Sequence, residues 1–395
     1  MAKKEEVSAE QKQRNKAIND VLGKINKKFG AGSVSFLKDI AEELKVTFIK
    51  TPSYELNSAL GGGLGRKKII ELYGVPSCGK TSLAFEVIAE EQKRDKNFYA
   101  AWIETENSID PDYIASFGID MDRFVLVQQD ETLSAESCLE IVRSLVNSGQ
   151  IGLIVLNSAA ALLPKTEIES EFEKQNIGLL ARLLSKALKA INAMLNKNNC
   201  TWIIINQVRT NIGSYAGGTI SSGGLAIPFF STQRIEMRKV KIDAGDPIGV
   251  DDGVKINCKI VKNRLAKGNP YKQCQYYAVY GKGIDSVNEL SIVLVREGIL
   301  TRAGAWLKLL DNKGNVKVIE LGGEKVECKW GSKAIFTDAV KDSPLLLKYF
   351  EDEIDKLTYS GKIASGLALS EEEIVDLENK DSLISSEMKD IDEEE

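Results

Sequence analysis

Gly74-Val75-Pro76-Ser77-Cys78-Gly79-Lys80-Thr81-Ser82 fits the pattern G-x-x-x-x-G-K-[ST], whose chemistry is the cradling of a polyphosphate. Gly74 and Gly79 let successive backbone N–H groups turn towards one anion. Lys80 brings a point positive charge to the terminal phosphates, and the Thr81 hydroxyl can complete a magnesium shell. Three further stretches carry polar groups at the ends of apolar runs. In Ile103-Glu104-Thr105-Glu106 the two carboxylates are two residues apart, so both leave one face if the strand continues. One can hold an attacking water and the other can support the metal. The run from Gly152 to Leu156 ends in Asn157-Ser158. At the place where such strands normally end in a metal-supporting aspartate, this chain has an amide without negative charge. Ile203-Ile204-Ile205 ends in Asn206-Gln207, and Gln207 can sense a terminal phosphate. The run of glycines and hydroxyls from Arg209 to Gly224 that follows lies between core strands and suggests a mobile functional loop.

These groups need a scaffold that gathers strand ends. Lys68–Tyr73 reads as a buried strand entering the glycine loop, and Lys80–Lys93 as a helix leaving it. That helix would present its positive end to the phosphates. Strands are expected at Tyr99–Ile103, Phe124–Gln128, Leu153–Leu156 and Thr201–Asn206, alternating with helices at Pro111–Phe117, Ser134–Asn147 and about Gln175–Asn196. This is the pattern of an α/β parallel sheet covered on both faces. Gln233–Val240, Val254–Asn263 and Gln273–Tyr280 follow without intervening helices and predict an antiparallel extension. From about Ser286 a small α+β domain is expected, with helices at Leu290–Glu297 and Lys333–Leu357. At the other end, Ala17, Ile18, Val21, Leu22 and Ile25 form an apolar stripe on a polar helix that stops at Gly30-Ala31-Gly32. A lone helix cannot bury its own stripe, so this one must dock on the body or on another subunit. The expected division is a helical arm at 1–36, a nucleotide-binding core at 37–284, an α+β domain at 285–368 and a disordered acidic tail at 369–395.

Composition narrows the chemistry further. The 395 residues include no histidine, which excludes histidine-based triads, histidine–metal sites and phosphohistidine chemistry. The six cysteines form no C-x-x-C pair and read as reduced cytoplasmic thiols. Cys78 is either a reactive thiol in the loop or a small buried filler. No run is apolar enough to cross a membrane, and the N-terminus lacks the apolar core of a signal peptide. Glu371–Glu395 holds 12 acidic and 2 basic residues, leaving 45 acidic and 50 basic residues in the remainder. A mildly basic body with an acidic tail suits a nucleic-acid partner, and equally a tail that only solubilises.

Taken together, Glu71-Leu72-Tyr73-Gly74, Ser77-Cys78-Gly79-Lys80-Thr81, Ile109-Asp110-Pro111, Asn157-Ser158-Ala159-Ala160-Ala161-Leu162, Ile205-Asn206-Gln207-Val208-Arg209, Val261-Lys262-Asn263 and Ala303-Gly304-Ala305-Trp306 make the chain resemble the RecA-type recombinases. The resemblance covers about nine-tenths of the length without the tail. It implies a P-loop core binding ATP and Mg2+, with Gly74, Ser77, Cys78, Gly79, Lys80, Thr81 and Ser82 on the phosphates. It implies Asp110, Tyr113 and Tyr280 around the adenine, Glu106 as the water-activating carboxylate and Gln207 as the switch towards DNA. Lys262 and Arg264 would reach the phosphates from a neighbouring subunit, where the family carries two lysines. Ile177, Arg182, Ser185 and Lys189 on one helix, with Arg209, Ile212, Gly223 and Gly224 in the glycine-rich loop, would contact DNA. Pro164–Asn176 corresponds to the family's other DNA loop, although its four glutamates outnumber its two lysines. Implied partners are single-stranded DNA, homologous duplex DNA, further copies in a helical filament, and mediator and single-strand-binding proteins. The arm would be the polymerisation helix, and no membrane partner is implied.

The chain departs from the family at Asn157, at Glu104 (usually a shorter carboxylate) and at Pro228 (often basic). Thr81, Asn157 and Glu104 are therefore the candidate metal-supporting set, with Glu104 expected to compensate in part for Asn157. The leading expectation is a DNA-dependent ATPase that pairs and exchanges homologous strands. The alternatives are a DNA-coating filament with weak hydrolysis and a hexameric motor on the same core.

Overall fold

The computed structural model describes residues 9–41, 44–129, 133–169, 178–210, 219–243, 248–266 and 269–360, and the chain divides into units of residues 1–45 and 46–395. In the first unit, helix α1 spans Ala9–Phe29 and ends at the expected glycine stop. It stops at Gly30, whose φ of 106° is open to glycine and costly for other residues. Beyond the turn, the Asn26 side chain clasps the backbone of Val34, donating through Nδ2 (2.9 Å) and accepting through Oδ1 (3.0 Å). Ile18 and Val21 of the apolar stripe are 45% and 53% exposed.

The second unit is built on a ten-stranded sheet. Its strands are β1 (Ile69–Gly74), β2 (Tyr99–Glu104), β3 (Phe124–Gln128), β4 (Ile151–Asn157), β5 (Thr201–Thr210), β6 (Thr219–Ser221), β7 (Gln233–Val240), β8 (Gly253–Asn263), β9 (Gln273–Val279) and β10 (Gly283–Ile284). The order is β10-β9-β8-β7-β1-β5-β4-β2-β3, with β6 on the end of β5. From β7 to β3 every pairing is parallel, and from β7 to β10 every pairing is antiparallel. β1 is central and buried throughout. Its side chains alternate, and so do its neighbours'. Ile70, Leu72, Trp102, Val155 and Ile203 face helices α2 (Tyr54–Leu60) and α3 (Lys80–Arg94), whereas Ile69, Ile103, Ile154, Trp202 and Ile204 face the opposite core. That second core is closed by helices α4 (Ala135–Ser148) and α5 (Leu179–Leu195). Each fully buried branched side chain contributes about 1.5–3 kcal/mol, so both faces hold the strand ends in place.

Two expected elements change. β5 runs four residues past Asn206 because its end pairs with β6 through Val208↔Ser221 and Thr210↔Thr219, so the glycine-rich loop begins and ends as a ladder. The expected single helix at 333–357 is two helices, α7 (Lys333–Asp342) and α8 (Pro344–Ser360). Pro344 has no N–H to continue the ladder, and the preceding Ser343 is extended at φ −125°, ψ 95°.

A third apolar core, including Leu290, Leu307, Trp330, Phe336 and Phe350, joins α7 and α8 to helix α6 (Ser286–Arg296) and to small antiparallel strands. It is fastened to α2 through polar groups. The Glu289 carboxylate accepts the Ser53 hydroxyl (2.8 Å) and the Glu55 N–H (3.1 Å), and its other oxygen has no partner. Lys50 pairs with Asp355 at 2.5 Å, and the Tyr54 hydroxyl donates to Glu351 at 2.7 Å.

Burial pushes the Glu289 carboxyl up to about 8, against the opposing hydrogen bonds, and burial likewise pushes Glu86 up to about 7. Both folded values lie above the unfolded ones. The native state therefore holds extra protons from about pH 4.5 to 8, and stability present below that window is lost as pH rises through it. Melting without nucleotide is expected to show a loss on the order of 3 kcal/mol between pH 6 and 9. Glu289→Gln should flatten that dependence; a profile as steep as that of the parent protein would exclude Glu289 as its source.

Candidate nucleotide and DNA site

The glycine loop leaves β1 and becomes the first turn of α3. Ser77 and Gly79 stand at φ 58° and 84°. A Cβ at Gly74 would lie 2.1 Å from the Met237 carbonyl oxygen, and one at Gly79 would lie 2.7 Å from Ile256. Gly74 is thus demanded by contact with backbone, and Gly79 by its conformation as well as by contact. Lys80 is folded over the loop: its Nζ donates to the carbonyls of Gly74 (3.1 Å) and Val75 (2.8 Å) and lies 3.6 Å from Cys78 Sγ. Cys78 is 1% exposed, and burial raises its thiol pKa while Lys80 pulls the other way. It is a filler beneath the loop. Thr81 and Ser82 follow on the first turn of α3, and the Ser82 hydroxyl shares a 3.1 Å hydrogen bond with the Tyr113 hydroxyl. Tyr113 is half-exposed and packs edge-on against Phe117. Its helix, Pro111–Ser116, is capped by Asp110, which accepts the Asp112 N–H at 3.0 Å. Tyr280 is exposed in the turn between β9 and β10.

The polar ends of β2, β4 and β5 converge beside this loop. Alternation predicts Glu104 and Glu106 on one face, but β2 ends at Glu104 and the chain turns. Glu104 is fully buried, whereas Glu106 is exposed. Glu106 Oε1 accepts the Ser158 hydroxyl at 2.5 Å and the Gln207 side-chain amide at 2.9 Å. Asn157 is 2% exposed and donates through Nδ2 to Glu104 Oε2 at 3.0 Å. The sequence reading missed Thr105, whose hydroxyl donates to the carbonyls of Asn157 and Ser158 and accepts the Ser158 N–H. Its place between the two carboxylates was the available signal.

Gln207 is also bonded through its backbone to the far end of the glycine-rich loop. Its carbonyl accepts the Ser222 N–H at 3.1 Å, and Asn206 beside it donates to the Ser222 carbonyl and to Glu71. Glu71 pairs in turn with Arg234, which lies 4.9 Å from the centroid of the Tyr73 ring. A lone carboxylate within the apolar strand Ile69–Gly74 was the trace of this buried network. Immediately after Ser222, Gly223 and Gly224 take φ 84° and 74°, and a Cβ on either would come within 2.9 Å of Leu184 or Ala181 on α5. The outer face of α5 exposes Arg182, Ser185 and Lys189, together with Lys186, which the sequence reading passed over. Arg209 lies in β5; Ile177 and Ile212 lie outside the described residues, as do residues 170–176 of the expected Pro164–Asn176 loop and the acidic tail.

At the end of β8, Lys262 donates to the carbonyls of Pro228 (2.7 Å) and Phe229 (2.9 Å), so in the single chain it is held by its own backbone. Burial, then the nearby Arg264 and Arg234, lower its pKa to about 8. Leu225 and Phe229 beside it are 85% and 65% exposed.

A phosphate loop on a helix N-terminus, with two strands between it and the strand that ends in the carboxylates, defines a P-loop nucleoside triphosphatase core. The RecA N-terminal domain profile matches residues 16–285. Protein RecA of Thermotoga neapolitana is 39% identical over 322 residues, covering 80% of this chain and 89% of its own. Protein RecA of Thermus thermophilus is 38% identical over 322 residues, covering 80% and 91%, and that of Fusobacterium nucleatum is 39% identical over 320 residues, covering 80% of each. The chain belongs to the RecA family. It is an ATP-binding, DNA-dependent ATPase and recombinase of DNA repair and recombination, a DNA-binding protein that forms filaments and exchanges strands. Among the described residues no helix is long and apolar enough to cross a membrane.

Proposed function

We propose that ATP hydrolysis is carried by Glu106 and reported to DNA through Gln207. The observation that carries this reading is the double engagement of Gln207, by its side chain with Glu106 and by its backbone with Ser222. Glu106 accepts a proton from the attacking water, while Ser158 and Gln207 hold its carboxylate in place. Lys80 exchanges its loop carbonyls for the terminal phosphates, and the N–H groups of residues 77–82 at the start of α3 complete the cradle. Asp110, Tyr113 and Tyr280 flank the adenine. Thr81 offers Mg2+ a hard hydroxyl oxygen, which suits an ion that takes few protein ligands beside phosphates and water; when bound, the ion would neutralise phosphate charge. Lys262 and Arg264 act on the nucleotide of the neighbouring subunit, which requires Lys262 to leave the carbonyls of Pro228 and Phe229.

DNA lies along Arg182, Ser185 and Lys189 of α5 and against the N–H groups of Gly223 and Gly224, with Arg209, Ile177 and Ile212 completing the contact. Helix α1 supplies the filament contact, with arm, core, α+β domain and tail divided near residues 36, 284 and 368. Cytoplasmic action with mediator and single-strand-binding proteins completes the reading.

Steady-state hydrolysis with and without single-stranded DNA, paired with strand exchange using ATP and a slowly hydrolysed analogue, tests it. A rate indifferent to DNA would favour a coating filament with weak hydrolysis. Phosphate contacts predict that Arg182→Ala and Lys189→Ala each reduce the log–log salt slope of binding by about 0.7. An unchanged slope would remove that residue from the interface.

A further inference from the structure

We propose that Glu104 and Asn157 form a matched carboxylate–amide pair that positions Glu106 and is not part of the metal's support. The inference rests on Glu106 as the water-activating group and concerns how this chain aims it. Glu104 and Asn157 are register partners at the ends of the adjacent strands β2 and β4. Both are buried, at 0% and 2% exposure, and five donors converge on the Glu104 carboxylate. Oε2 accepts the Trp102 indole N–H (2.8 Å) and the Asn157 amide (3.0 Å). Oε1 accepts the backbone N–H groups of Glu106 (3.1 Å) and Ser108 (3.2 Å) and the Ser108 hydroxyl (3.3 Å). The first set anchors the carboxylate in the core. The second folds residues 104–108 back over the strand end, turning Glu106 away from the line of β2 towards Ser158 and Gln207.

With its lone pairs used in this way, Glu104 is a support for the turn. Asn157 meets it as a donor, a role its amide can fill and a carboxylate cannot. An aspartate at 157 would put two carboxylates about 3 Å apart in a buried site with no donor between them, where like charges cannot both be ionised without a large cost. The amide at 157 and the longer acid at 104 are therefore coupled features of this chain.

The test is a double-mutant cycle of Asn157→Asp, Glu104→Gln and the double variant, reading kcat and KM for ATP with single-stranded DNA, and the melting temperature without nucleotide. Asn157→Asp should lower kcat by about 10-fold or more, with KM within about 3-fold, and should lower the melting temperature. Adding Glu104→Gln restores an amide–carboxylate contact of reversed polarity. It should recover most of both losses, with one unfavourable contact left at the Trp102 N–H. Asn157→Ala, which removes the donor without adding charge, should lose less than Asn157→Asp and keeps the test alive if the aspartate variant does not fold. The pairing is overturned if Asn157→Asp hydrolyses ATP as fast as the parent, if the double variant is no better than Asn157→Asp, or if the alanine and aspartate variants lose equally. Glu106→Gln runs alongside: if it still hydrolyses ATP, the role given to Glu106 fails, while the nucleotide-free melting cycle still judges the pair.

Discussion

Glu106→Gln is expected to lower DNA-stimulated ATP hydrolysis by about 10²–10⁴-fold while leaving ATP and DNA binding nearly intact. The substitution keeps the volume and keeps an oxygen for the Ser158 hydroxyl and the Gln207 amide, which now hold Glu106 Oε1 at 2.5 and 2.9 Å. It removes the capacity to take a proton. Because the chain has no histidine, no imidazole can substitute as a neutral-pH base. A filament assembled with ATP should therefore persist far longer in this variant, since turnover is what would release it. Single-turnover hydrolysis and filament lifetime on single-stranded DNA measure the two consequences separately. A residual rate within about 3-fold of the parent would mean that another group activates the water.

The second large effect is expected at Gln207. In Gln207→Ala, hydrolysis with saturating single-stranded DNA should fall to the rate measured without DNA, and strand exchange should be lost. The reason is geometric. The Gln207 side chain touches Glu106, its backbone is bonded to Ser222, and the next two residues form the Gly223–Gly224 turn seated on α5. Removing the amide leaves the backbone ladder and α5 as they are but breaks their contact with the carboxylate. Coupling is the quantity to measure: the change that ATP causes in DNA affinity, and the change that DNA causes in ATP affinity, should shrink by the same factor. If stimulation by DNA survives in Gln207→Ala, the connection runs elsewhere, and the Asn206–Glu71–Arg234 network is the next place to look.

Much of the scaffold was legible in the chain because its signals are local. Apolar strands such as Ile203–Ile205 announce burial on both faces, and Pro111 announces the first turn of a helix; Pro344 is as local a signal, but the expected helix at 333–357 ran through it. The glycine loop was legible for the same reason, since an eight-residue motif carries its own geometry. What resisted reading depends on which strand ends become neighbours. β2 and β4 are adjacent although the helix Pro111–Ser116, β3 and α4 lie between them in sequence. Nothing in Ile103-Glu104-Thr105-Glu106 says that the chain turns after Glu104, because the groups that turn it include Trp102, Ser108 and Asn157.

By itself, then, the sequence determined the nucleotide loop, the alternation that builds a two-faced parallel sheet, the absence of histidine chemistry and the membership of a family. Each follows from residue type and short-range spacing, which act before any long-range contact forms. Only the tertiary structure decided which carboxylate faces solvent and which is buried as a support. It also decided that Asn157 donates to Glu104, and that Gln207 touches both Glu106 and the segment seated on α5. Those outcomes rest on hydrogen bonds between residues some 50 to 100 positions apart, and on burial that leaves Glu104 no solvent to bond with.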